Sequence, residues 1–189
     1  MTNTIVIADD EPITMMDIKE ILIEAKYNVV GEAPDGFDAV ELCRKFKPDL
    51  VIMDIKMPLL GGLKAAEIII SEDLAKAVLL LTAYSSKEFI EQAKKAGVMG
   101  YLVKPVSEKS LLPAVEIAIH KGNEIAQMKS DAEGAKGKLE DRKIIDRAKG
   151  ILMDTYGIPE NEAYNRIRKL SMDKRCTMKQ IASAIIMDN

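Results

Sequence analysis

Asp9, Asp10, Asp54, Thr82 and Lys104 are the side chains of this sequence whose types could do chemistry together. Carboxylates gathered at one point repel one another and raise each other's pKa. A divalent cation relieves that conflict, and oxygen ligands with water positions left open suit Mg²⁺, which takes one or two carboxylates plus phosphate oxygens. Lys104 offers a cationic head to a phosphoryl oxygen, and Thr82 offers a hydroxyl. Such a set is built to bind a phosphoryl group with its metal, and phosphoryl transfer asks mainly for positioning and charge neutralisation. Asp54 is the best nucleophile, because it stands alone while Asp9 and Asp10 can share the cation. Carboxylates are established phosphoryl acceptors.

These residues work together only if the chain brings them together, and the hydrophobic pattern says how. Apolar runs at Thr4–Ala8, Asn28–Ala33, Asp49–Met53, Ala77–Thr82 and Met99–Val103 read as strands. Between them lie helical patterns: one opened by Pro12, one capped by Asp35 and running through Phe46, one of roughly Leu63–Ser71, and one of Ser86–Ala96 stopped by Gly97. Short apolar strands alternating with helices predict an α/β fold, a five-stranded doubly wound parallel sheet covered on both faces. Ligands of such sheets bind beyond the carboxyl ends of the strands, near the switch point. Asp9, Asp10, Asp54, Thr82 and Lys104 all follow or end strands, so the fold makes them converge.

After Ser107 a helical pattern continues with no stop before Gly134 and Gly137. Leu111, Val115, Ala118, Gly122, Ile125, Met128, Ala132, Ala135 and Leu139 follow at spacings of three or four. This is a long helical linker, read either as a solvated connecting helix or as a weak coiled-coil seam. Beyond it, Glu140–Tyr156, Pro159–Leu170 and Met178–Met187 read as a small three-helix bundle, the last capped by Thr177. The domains predicted are 1–122, a linker at 123–138, and 139–189.

Charge is spread unevenly. Residues 1–120 carry 13 basic against 19 acidic side chains, residues 121–138 carry 4 against 3, and residues 139–189 carry 10 against 8. The basic excess at the back permits nucleic-acid binding without requiring it. Cys43 and Cys176 have no metal-ligand spacing. His120 is the sole histidine and sits in a helical stretch where a surface role is expected, so no Cys-His or Ser-His-Asp nucleophile system is at hand. No apolar run approaches the roughly 20 residues of a membrane span, and no signal peptide is visible, so the cytoplasm is expected and no membrane partner.

Asp9-Asp10 after the first strand, Asp54 after the third with Pro58 and Gly61 beyond it, Thr82 after the fourth and Lys104-Pro105 after the fifth together resemble the response-regulator receiver domain, a flavodoxin-like fold, over about residues 3–122. The resemblance implies that Asp54 accepts a phosphoryl group from a sensor histidine kinase. It implies that Asp10, Asp54 and the backbone carbonyl of Lys56 hold Mg²⁺, with Asp9 acting through water. Lys104 would contact the phosphoryl group, across a bond to Pro105 that is often cis, while Thr82 and Tyr101 would act as the switch. Apart from losing its own phosphoryl group, such a protein is not expected to be an enzyme. The missing second acid two residues after Asp54, where Lys56 stands, also argues against a phosphatase.

From Leu139 on, Arg142, Ile145, Ala148-Lys149-Gly150, Leu152-Met153, Gly157, Ile167-Arg168-Lys169, Met172 and Met178-x-x-Ile181-Ala182 resemble the ANTAR domain. That module binds RNA in transcription antiterminators. The resemblance implies hairpin RNA as the partner, homodimers on phosphorylation, and antitermination as the output. Arg142, Ala148, Lys149 and Gly150 would form a flat cationic spot for bases, with Arg168, Lys169 and Lys179 on phosphates. Tyr156 and Tyr164 are expected in the core more than as stacking platforms, and Gly150 needs a close neighbour to justify it in a helix. A DNA-binding or protein-binding output is the rival, but the acidic Glu160 and Glu162 would oppose a recognition helix in a groove.

Overall fold

A computed structural model of the chain describes residues 2–83 and 87–188, with the side chains at 87–90 left aside. By backbone contacts it divides into two units, 1–127 and 128–189.

The first unit is a parallel sheet of β1 (Thr4–Ala8), β2 (Asn28–Ala33), β3 (Leu50–Asp54), β4 (Val78–Thr82) and β5 (Gly100–Val103), in the order β2-β1-β3-β4-β5. Its helices are α1 (Pro12–Glu24), α2 (Gly36–Phe46), α3 (Gly62–Ser71), α4 (Lys87–Ala96) and the start of α5 (Glu108–Tyr156). The predicted start of the fourth helix at Ser86 lies outside the described residues. Side chains alternate across each strand. Val6, Ala8, Val51, Met53, Val78 and Leu80 pack on one face with Ala39, Val40, Ala65 and Ile69 of α2 and α3. Ile5, Ile7, Leu50, Ile52, Leu79 and Leu81 pack on the other with Ile18, Leu22, Leu111 and Val115 of α1 and α5. β1, β3 and β4 are buried on both faces, which is why they read as unbroken apolar runs.

Local signals act as expected. The Asp35 carboxylate accepts hydrogen bonds from the backbone N–H groups of Phe37 (2.8 Å) and Asp38 (3.0 Å), capping α2. Gly97 takes a left-handed φ of 78° after α4.

One expectation fails. Gly134 and Gly137 do not interrupt the helix, and α5 runs unbroken for 49 residues. A glycine costs about 1 kcal/mol in a helix interior, too little to stop one anchored by apolar contacts at each end. The supposed seam also has two parts. Leu111, Val115 and Ala118 are the sheet-facing core of the first unit, whereas Ile125, Met128 and Leu139 are exposed.

The second unit is built from the last turns of α5 with α6 (Glu160–Lys174) and α7 (Met178–Met187). Its core is small: Ala148, Leu152, Ala163, Ile167 and Ala182 are buried. Thr177 caps α7 in a reciprocal capping box with Gln180. Among the described residues, no helix is long and apolar enough to cross a membrane.

A Cβ on Gly62 would strike the Asp54 carbonyl oxygen, while one on Gly134 would meet nothing within 4 Å. Gly62→Ala should therefore destabilise the first unit by about 3 kcal/mol in urea unfolding. Gly134→Ala should instead stabilise α5 by about 1 kcal/mol and raise the circular dichroism signal of helix.

Candidate functional site

The carboxyl ends of β1, β3, β4 and β5 deliver the predicted residues to one cleft. The register pairs Ala8 with Met53, Asp54 with Leu81, and Thr82 with Val103, so residues that end or follow these strands come level. Asp9 is fully buried, Asp54 and Thr82 nearly so, and Asp10 is exposed. Carboxylate oxygens of Asp9, Asp10 and Asp54 all lie within 4.8 Å of one another. The cleft, about 240 Å³, is lined by Asp10, Glu11, Asp54, Ile55, Lys56, Thr82, Ala83 and Lys104.

Lys104 holds the acids together. Its backbone N–H donates to the Thr82 carbonyl at 2.8 Å, tying the loop after β5 to the end of β4, and the bond to Pro105 is cis. Its ammonium lies 2.8 Å from Asp9 Oδ2, 3.3 Å from Asp54 Oδ1 and 3.8 Å from Glu11 Oε2. Asp9 and Asp54 are also fixed by backbone: Glu11 N–H donates to Asp9 Oδ1 at 3.0 Å, and Lys56 N–H to Asp54 Oδ2 at 3.1 Å. Asp9 Oδ2 is buried, and the Lys104 ammonium is the group that faces it.

Burial pushes the Asp54 carboxyl above the usual aspartate range, with help from the Asp9 charge; Lys104 and the Lys56 N–H pull against them. Burial works against the Lys104 charge as well. There, proximity to Asp9 and Asp54 wins, and the ammonium's pKa is raised.

The remaining predicted residues divide. Tyr101 is 40% exposed, at the outer strand of the sheet. Glu11 was missed by sequence reasoning. It lines the cleft beside Lys104, and its adjacency to Asp9-Asp10 at a strand end was the available signal. In the second unit Ala148 is fully buried, so it belongs to the core and not to a surface spot. Lys149 is also not free: its ammonium lies 2.6 Å from both Asp146 Oδ1 and Glu160 Oε1, which together raise its pKa. Lys179 pairs with Asp141 at 2.7 Å, and Arg142 sits 3.9 Å from Asp146. Arg168 and Lys169 are exposed.

Gly150 has no neighbour within 4 Å of where a Cβ would stand, so the expected close helix contact is absent. Gly134 and Gly137 are equally open, so openness alone selects no partner. Tyr156 and Tyr164 are 60% and 42% exposed, contrary to the expectation of core packing, because small aliphatic side chains already fill that core. The hydroxyl of the buried Ser171 donates to the Arg168 carbonyl at 2.7 Å and is satisfied within its own helix.

A carboxyl whose pKa is raised by folding keeps its proton to higher pH than the unfolded chain does. Its ionisation therefore removes stability as pH rises from the unfolded to the folded value, and the loss persists at neutral pH. Asp54→Asn, tested without divalent cations, should melt at a higher temperature than the parent at pH 7. That advantage should shrink as pH falls toward the ordinary aspartate value of about 3.9. An equal or lower melting temperature at pH 7 would contradict the electrostatic account.

Comparison with known proteins accounts for both units. Residues 5–116 match the response regulator receiver domain, and residues 133–186 match the ANTAR domain. The transcriptional regulatory protein PdtaR of Mycobacterium tuberculosis is 43% identical over 182 residues, covering 96% of this chain and 88% of that protein. The chemotaxis protein CheY of Thermotoga maritima is 34% identical over 115 residues, covering 61% of this chain and 96% of that one. The solved structure of the chemotaxis protein CheY4 of Vibrio cholerae superposes with a TM-score of 0.59 at 27% identity, covering 62% of this chain and 99% of that one. The strand-end acids with their lysine fall within the first match and the small helical unit within the second. The chain therefore belongs to the response regulators, with a receiver domain followed by an ANTAR output domain.

Proposed function

We propose that this protein is a phosphorylation-controlled regulator that binds hairpin RNA in nascent transcripts and promotes antitermination. The observation that carries the control half is the cleft in which Lys104 lies between Asp9 and Asp54, with Asp10 beside them. The RNA half rests on the ANTAR match and on the basic excess of the last 51 residues. PdtaR, a transcriptional regulatory protein, aligns with nearly all of the present chain, across both matched domains.

The acids fit Mg²⁺. They are oxygen donors only, and Asp9, Asp10 and Asp54 are clustered within 4.8 Å of one another. Asp10 and Asp54 with the Lys56 carbonyl would hold the ion, and Asp9 would act through water. Bound there, the ion would neutralise charge on the phosphoryl oxygens. Asp54 attacks the phosphorus of a phosphohistidine on a sensor kinase. The new P–O bond forms as the P–N bond breaks, and the imidazole leaves with the electron pair. Lys104 then turns from Asp54 to a phosphoryl oxygen, and the Thr82 hydroxyl donates to another. Replacing a carboxylate by a dianionic acyl phosphate re-pairs these groups, shifting β4 and β5 with Tyr101. The altered face supports homodimerisation, which places two ANTAR domains on one RNA. Hydrolysis of its own acyl phosphate is the one reaction expected of it, and the cytoplasm is where kinase and transcript would meet it.

Hairpin RNAs with randomised loops, offered with and without acetyl phosphate and Mg²⁺, test both halves. Binding should strengthen on phosphorylation, and Asp54→Ala should bind at the weak level regardless of treatment. Absence of RNA binding in either state would refute the output reading.

A further inference from the structure

The cations of the second unit are of two kinds. Lys149, on α5, pins that helix to Glu160 of α6, and Lys179, on α7, pins back to Asp141 of α5. Lys143 pairs with Glu140, and Arg166 with Glu162 while lying 5.3 Å from the Tyr156 ring. These charges are matched by carboxylates and hold the small bundle together. By contrast, Arg168, Lys169, Lys174 and Arg175 have no carboxylate partner among the described residues, and all are exposed. They occupy the second half of α6 and its C-cap. Within this one helix, then, the acids of the first turn, Glu160 and Glu162, are paired with cations, and the last turns and C-cap carry four cations against the single acid Asp173.

Helical spacing adds a second observation. Tyr164, Arg168 and Met172 are each four residues apart, which places them along one stripe of about 12 Å, and Arg175, the left-handed C-cap, follows at its end. The stripe lies beside the buried row Ala163, Ile167 and Ser171. Tyr164 is 42% and Met172 65% exposed, so an aromatic ring and a thioether stand in solvent on either side of the Arg168 guanidinium. The helix dipole explains part of this, since cations favour the last turn, but its effect fades beyond that turn. It accounts for Lys174 and Arg175. It does not account for Arg168 two turns from the end, nor for the exposed ring and thioether.

We propose that the stripe Tyr164–Arg168–Met172–Arg175 is the surface along which an RNA hairpin loop lies, an inference that rests on the RNA-binding reading above. Unstacked loop bases are read by stacking on aromatic rings and guanidinium planes, and arginine forks hold phosphates bidentately. Tyr164 stacks a base, Arg168 and Arg175 take phosphates or base faces, and Met172 supplies an adaptable apolar contact between them. Lys149 and Lys179, held in helix-to-helix ion pairs, stay off the RNA. A double helix of DNA fits less well, because the N-terminal end of α6, which would enter a groove, carries Glu160 and Glu162.

The test uses the full chain treated with acetyl phosphate and Mg²⁺, and a hairpin that the parent protein selects from a randomised-loop pool. Affinity is measured across a salt series. Arg168→Ala/Arg175→Ala should weaken binding at least tenfold and flatten the log–log salt slope by about 0.7 per cation removed. Tyr164→Leu should weaken binding about tenfold, the loss of one base stack, with the slope unchanged. Lys179→Ala should lower the melting temperature and leave the slope as it was. If the parent selects hairpins but the double arginine variant keeps its affinity and slope, the surface is wrong while the RNA reading stands. If the parent selects no hairpin, or duplex DNA outcompetes it, the RNA reading itself fails and this inference with it.

Discussion

The contact on which the rest depends is the Lys104 ammonium between Asp9 and Asp54, at 2.8 and 3.3 Å. Two buried carboxylates facing each other would otherwise protonate or push apart. Burial, helped by the Asp9 charge, keeps the Asp54 pKa raised even with Lys104 beside it, and one ammonium faces the three clustered carboxylates Asp9, Asp10 and Asp54. The site is therefore short of positive charge. That shortage favours a divalent cation and makes the cleft responsive to a change in its anions. Everything around it serves placement: β1, β3 and β4 are buried on both faces, and the Lys104 N–H is bonded to the Thr82 carbonyl.

The parallel sheet and its strand-end acids were legible because their signals are local and repeated. An apolar run followed by a helix start recurs five times up to Glu108. Asp35, Gly97 and Thr177 were legible for the same reason, since a cap is chemistry among adjacent residues. The second unit was less so. Gly134 and Gly137 look like breaks in a sequence, but their cost is small beside the continuity of a 49-residue helix. Ala148, read as surface, is core, because a bundle this small fills its centre with alanine where a larger one would use leucine. Tyr156 and Tyr164, read as core, are outside for the complementary reason. Pairing also escaped the sequence. Nothing in spacing alone joins Lys149 to Glu160 or Lys179 to Asp141 across helices.

The two units thus use charge in opposite ways. The receiver concentrates anions in a buried cleft and restrains them with one cation, so that a small chemical event has a large electrostatic effect. The ANTAR domain disperses charge over its surface, commits part of it to internal pairs and leaves Arg168, Lys169, Lys174 and Arg175 exposed toward the end of α6. A phosphorylated aspartate and an RNA phosphate ask for the same kind of partner, a positioned cation, and the chain supplies each in a different setting.

The central claim is that Asp54 receives a phosphoryl group in a metal-assisted cleft. Intact-mass measurement after acetyl phosphate treatment tests it most directly, comparing the parent with Asp54→Asn, each with Mg²⁺ and with a chelator. The account predicts a gain of one phosphoryl group on the parent with Mg²⁺ alone. The same gain on Asp54→Asn, or on the parent in chelator, would contradict it.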